Sequence, residues 1–304
     1  MTFGRYLRCG LLLLAITGCR GAGGDKSDTT HGSLPPVYPS SPLGNTNWDL
    51  DAGPVLIIPG GGTDTVAVVM PEATDSTIAS FQGMAPPTAG LTFDLFSRNG
   101  MAASAAALSV LPPADNKGEC YAWPAAKLRQ SRSDWRVGFQ SGRVSAIKLD
   151  SIESRSSVDS AALAAALTRA AATLPAAADP TFRGLPFRVR SAYTFRLDST
   201  EVVIADVVRT VNEEASPKVE HFFIIGERNP GTGAQYETRY YSRTAGTEES
   251  TQATDVLAVI QLGRVKRPAI VVSLEYDDGR KIGLIERRES GQWSSVWRSA
   301  YTDC

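Results

Sequence analysis

The chain has 304 residues and a formal net charge of −1, with 31 Lys and Arg set against 32 Asp and Glu. So even a balance argues against a general binder of nucleic acid or anionic membrane, which needs a basic field. With two histidines and four cysteines, there is little material for zinc or imidazole chemistry, and no cofactor or metal motif is expected.

Residues 1–8 carry Arg5 and Arg8, after which Leu11, Leu12, Leu13, Leu14, Ala15 and Ile16 form a compact apolar run. It is far shorter than the roughly 20 residues that a bilayer-spanning helix needs. This is the form of a secretory signal. The run closes on Ile16-Thr17-Gly18-Cys19, which resembles the lipobox of bacterial lipoproteins, where small residues precede a cysteine that is acylated and becomes the new N-terminus. The resemblance implies a signal peptide over 1–18, Cys19 as the lipid-attachment residue, and anchorage in the cell envelope. Each buried methylene of the lipid contributes about 0.8 kcal/mol. Arg20 stands where an Asp would mark inner-membrane retention, which favours the outer membrane. The competing reading is an ordinary secreted protein cleaved elsewhere.

Residues 19–45, rich in Gly, Ser, Thr and Pro without apolar periodicity, read as a flexible tether carrying the lipidated cysteine. The remainder divides into an N-terminal β-rich portion over 46–112 and an α+β portion over 113–304. The first is set apart by charge: no Lys or Arg stands between Lys26 and Arg98. Cys9 leaves with the signal and Cys19 is taken by lipid, so Cys120 and Cys304 remain. In an oxidising compartment they are expected to pair, and so long a loop stabilises by about 4 to 5 kcal/mol in the chain-entropy model.

Residues 55–59, 65–70 and 91–96 are short β-branched runs bounded by turn residues and predict strands. Gly60-Gly61-Gly62 reads as a hairpin loop and not a phosphate cradle, because no Gly-Lys-Ser/Thr follows. The Ala-rich stretch 101–110 is open between helix and strand. Pro112-Pro113-Ala114-Asp115-Asn116-Lys117-Gly118 is a breaker cluster and supplies the boundary. Beyond it Trp135, Val137 and Phe139 alternate with polar residues, Ser141-Gly142 gives a turn and 144–149 returns, predicting a β-hairpin.

Ser156 with Asp159 resembles a capping box, and Leu163, Leu167 and Leu174 among alanines form one apolar stripe. A helix over 157–174, packed on a sheet, is predicted. Strands follow at 187–197, 202–211, 219–227, 236–242, 270–276, 282–287 and 293–301, with tight turns at Asp277-Asp278-Gly279 and Glu289-Ser290-Gly291. Thr254 precedes Val256, Leu257 and Ile260 at helical spacing, so 251–262 reads as a short second helix. The fold class is mainly β or α+β: an antiparallel sheet meander with one Ala/Leu-rich helix packed on it. The hairpins at 222–243 and 270–288, with Gly291-Gln292-Trp293, are faintly similar to blades of bacterial β-propellers with FG-GAP-like repeats. Those repeats carry an Asp-rich calcium loop where Gly263-Arg264-Val265-Lys266-Arg267-Pro268 stands, so the likeness is one of meander geometry.

His31 lies in the tether. His221 opens a strand with no second His, no HExxH and no G-x-S-x-G elbow in the sequence. The adjacent pairs Glu213-Glu214, Glu248-Glu249 and Asp277-Asp278 would point to opposite faces of a strand and so do not form glycosidase pairs. Tyr236, Arg239, Tyr240, Tyr241 and Arg243 are the densest aromatic and cationic cluster. Strict alternation puts Tyr236, Thr238 and Tyr240 on one face and Glu237, Arg239, Tyr241 and Arg243 on the other, as a ligand platform or as cross-strand packing. Trp293 and Trp297 likewise share a face, in the core near Cys304. The absence of catalytic signatures points to a non-enzymatic envelope lipoprotein, held to the membrane by lipid, whose body binds a ligand or partner or supports the envelope. The alternative is an envelope hydrolase, which a pocket collecting His221 with a Ser and a carboxylate would favour.

Overall fold

Short apolar strands separated by turns pack face to face wherever each can bury one side. In the computed structural model, residues 48–60, 64–72, 90–110, 123–129, 134–175, 179–212, 217–232 and 235–303 are described. All lie within one compact unit, Tyr38–Cys304. Cys19, the tether, the breaker cluster, Gly61 and Gly62, Glu213 and Glu214, and the expected Cys120–Cys304 disulfide lie outside the described residues.

Six strands close into an antiparallel barrel: β1 (Leu56–Pro59), β2 (Thr65–Val68), β3 (Thr92–Ser97), β4 (Gly100–Val110), β5 (Ala125–Leu128) and β6 (Val137–Gln140), in the order β1-β2-β5-β4-β3-β6. The Ala-rich stretch is therefore strand, and β1 and β2 form the expected hairpin across the glycines. Ile57, Val66, Val68, Phe93, Leu95, Leu108 and Leu128 fill the interior. The tube is so narrow that a Cβ on Gly138 would stand 2.6 Å from Ile57 Cγ1. Two expectations change here. The division at 112/113 falls between β4 and β5 of this single barrel. The hairpin expected across Ser141-Gly142 does not form either: the turn, fixed by Gly142 N–H donating to Asp94 Oδ2 at 2.8 Å, hands the chain from β6 of the barrel to β7 (Val144–Ile147) of another sheet.

The rest is a two-sheet sandwich carrying a helix. One sheet holds β8 (Asp150–Ser151), β9 (Arg188–Leu197), β10 (Thr200–Val211), β11 (Lys218–Arg228) and β12 (Glu237–Thr247), in the order β12-β11-β10-β9-β8. The other holds β7 with β13 (Ala253–Leu262), β14 (Arg267–Glu275), β15 (Arg280–Arg287) and β16 (Trp293–Arg298), in the order β16-β15-β14-β13-β7. Phe195, Val202, Ile204, Phe223 and Ile225 meet Val259, Ile270, Val272 and Trp293 between the sheets. The far side of the second sheet buries Ile260, Val271 and Trp297 against Leu56, Ile58 and Phe139 on the barrel's outer wall.

The second helix expected at 251–262 is strand β13. Covered by a sheet on one side and the barrel on the other, it is apolar at nearly every position, and a bulge between Val256 and Ala258 breaks its alternation into apparently helical spacing. A bulge also opens between Leu284 and Ile285 where β15 meets β16. It sends Trp293 into the inter-sheet core and Trp297 to the barrel side, so the two tryptophans do not share a face.

The predicted helix is α1 (Ser157–Thr173). Ser156 Oγ accepts from Asp159 N–H at 3.2 Å and donates to Asp159 Oδ2 at 2.7 Å. Leu163, Leu167 and Ala171 pack on Val203, Ala205, Val207, Phe222 and Ile224, the outer face of the first sheet. Small alanines allow the close approach.

Candidate functional site

On the outer face of the first sheet, odd-numbered β10 residues and even-numbered β11 residues point towards α1. At one end this places Glu201 directly across from Arg228. Arg228 Nε donates to Glu201 Oε2 at 2.8 Å, and Arg155, in the segment entering α1, donates to Glu201 Oε1 at 3.1 Å and to Thr194 Oγ1. Burial opposes ionisation of Glu201, but the hydrogen bonds from Arg228 and Arg155 outweigh it and hold the carboxyl below its usual range. Arg228 in turn lies 4.5 Å over the Tyr236 ring. Gly226 permits this, since a Cβ there would press to 3.3 Å from Tyr236 Cβ. Burial, reinforced by the Glu201 charge, pushes the Tyr236 phenol up to about 12, so it stays a neutral hydroxyl.

Between this cluster and the helix runs a groove of about 690 Å³, within the range of small-molecule sites. Asp159, Ala162, Leu163, Ala166, Arg169, Ala170 and Thr173 form the helical wall, on the helix repeat. Arg155, Arg228, Gln235, Tyr236 and Thr238 face them. Arg169 is exposed and, among the described residues, has no carboxylate partner. Arg155 Nε is buried without a hydrogen bond.

The predicted aromatic and cationic cluster is only partly brought together. Between Ile225 and Gly226 the pairing with β12 shifts by one residue at Arg239, and everything beyond changes face. Tyr236 therefore shares the helix side with Arg243, and Tyr240 turns to the inter-sheet core, 6.5 Å from the Phe223 ring centre. Tyr241 stays exposed and Arg239 pairs with Glu237 at 2.8 Å. Tyr236 alone of the five lines the groove. Arg155, Arg169 and Arg228, with Glu201 behind them, carry no motif in the sequence; Arg169 in the middle of an Ala-rich helical face is the one available signal.

The other buried carboxylates are each held by their own partners. Glu220 accepts from Arg209 Nε and from Arg243 Nε, the latter at 2.6 Å, and Arg209 lies over the Phe182 and Phe187 rings. Glu227 accepts from Arg287 and from Trp293 Nε1, both at 2.7 Å. Asp206 accepts from Arg190 Nε and lies 3.0 Å from His221 Nδ1. His221 thus has the carboxylate that a hydrolase would require; among the described residues no serine or threonine hydroxyl is bonded to it. No group of three or more His, Cys, Asp or Glu among the described residues could hold a metal ion. No described helix is long and apolar enough to cross a membrane. Comparison with family models, with curated proteins and with solved structures finds no match.

Proposed function

We propose that this chain is an envelope lipoprotein, acylated at Cys19 and tethered through residues 19–45, whose body is a non-enzymatic binding module with its site in the groove between α1 and the β11–β12 end of the sheet. The observation that carries the binding reading is the difference in saturation. Asp206, Glu220 and Glu227 are each matched by arginine or histidine partners, whereas the groove gathers Arg169, which has no partner among the described residues, with Arg155, Arg228, the Tyr236 ring and an apolar wall around one space. The anchor rests on the N-terminal run and Ile16-Thr17-Gly18-Cys19.

Amide-shift mapping of the isotope-labelled protein against an extract of its own envelope tests the binding site. Shifts confined to 155–173, 228 and 235–238 are expected; shifts centred on Asp206 and His221, or none at all, contradict it. For the anchor, Cys19→Ser is expected to move the protein from the membrane to the soluble fraction. Unchanged membrane fractionation contradicts it.

A further inference from the structure

The groove's composition narrows what it binds. Arg155 and Arg228 share the single negative charge of Glu201, and Asp159 is engaged by Ser156 Oγ. The exposed Arg169 is then a cation facing the cavity with no partner among the described residues, and Arg155 Nε adds an unsatisfied buried donor. Counting Glu201 behind the wall, three guanidinium groups stand against two carboxylates, so the surplus is positive. Ala162, Ala166 and Ala170 meanwhile offer an apolar strip without side-chain bulk.

We propose that the groove takes an amphipathic organic anion, its acidic group at Arg169 and its apolar body along the alanine strip facing Tyr236. Charge-assisted hydrogen bonds to a planar guanidinium favour a carboxylate or sulfonate. The apolar wall requires that this group be carried on a flat or chain-like hydrophobic body, which a free inorganic anion lacks. This inference rests on the groove being the binding site.

A matched pair of fluorescent probes separates the two claims. Anilinonaphthalene sulfonate is an amphipathic monoanion, and phenylnaphthylamine is the same body without the charge. Both are titrated against the full chain carrying Cys19→Ser, which removes the acylation thiol and the need for detergent. Arg169 and Ala162 are exposed, so Arg169→Gln and Ala162→Trp leave the core intact, and circular dichroism checks this. The sulfonate is expected to bind at least tenfold more tightly than the neutral probe. Arg169→Gln should remove most of that ratio, and Ala162→Trp should abolish both signals. If Ala162→Trp abolishes both and Arg169→Gln leaves the ratio unchanged, the groove binds but does not select anions, and this inference alone is overturned. If neither probe binds, or Ala162→Trp changes nothing, the groove is not the site and both readings fall.

Discussion

The outer face of the first sheet carries the same construction at both ends, with opposite results. At one end Glu220 is held by Arg209 and Arg243, with Arg209 against the Phe182 and Phe187 rings, and its side chain is 0% exposed. At the other Glu201 is held by Arg155 and Arg228 beside Tyr236, and its side chain is 13% exposed. A carboxylate shared by two arginines beside an aromatic ring is a structural plug when its arginines are covered and the backing of a groove wall when they are left open. What differs is the covering element. The turn at Pro180–Phe182 sets Phe182 against Arg209, the partner of Glu220, while α1 lines the groove beside Arg155 and Arg228, the partners of Glu201, with Ala162, Ala166 and Ala170.

That contrast can be broken most forcefully at Glu220. Glu220→Ala would leave two guanidinium groups without their buried partner, and urea unfolding is expected to show a loss of about 4 kcal/mol; a loss below about 1 kcal/mol would mean that water reaches this end as freely as the other. Leu167→Ala, in the middle of the stripe that seats α1, is expected to cost about 3 kcal/mol and to loosen the groove wall. Hydrogen exchange along α1 should then rise while the Glu220 end stays protected.

Glu201 gives the smallest effect, and a pH-dependent one. Its folded-state pKa is lowered, so its stabilisation is present above the unfolded carboxylate value of about 4.3 and is lost as pH falls through the folded value. Chemical denaturation of the wild type and of Glu201→Gln should therefore differ at neutral pH by less than about 2 kcal/mol, discounted for solvent access. The two should converge in acid. A difference that is constant across this range would sink the account of the cluster.

Much of the scaffold was legible. The capping residues Ser156 and Asp159 and the spacing of Leu163 and Leu167 specify α1 locally, and the strands between turns at Asp277-Asp278-Gly279 and Glu289-Ser290-Gly291 follow from alternation and turn chemistry. Three faces depart from simple alternation for one physical reason. The bulges between Val256 and Ala258, at Arg239, and opposite Leu284 and Ile285 each insert a residue whose position is set by the neighbouring strand, not by its own sequence. Ser141-Gly142 is legible as a turn, but β7 leaves it to pair with β13, a partner far along the chain. The site was less legible than the fold because its arginines come from the entry to α1, the body of α1 and the end of β11, and only tertiary packing gathers them. Tyr236 was found because it stood in an aromatic run; its groove-facing role depends on the bulge beyond it.

Native mass spectrometry of the full chain extracted from its own envelope, wild type beside Ala162→Trp, tests the central claim most directly. The wild type is predicted to carry a noncovalent small-molecule adduct that Ala162→Trp lacks, with the covalent lipid mass present in both. Identical spectra would contradict a ligand held in the open groove.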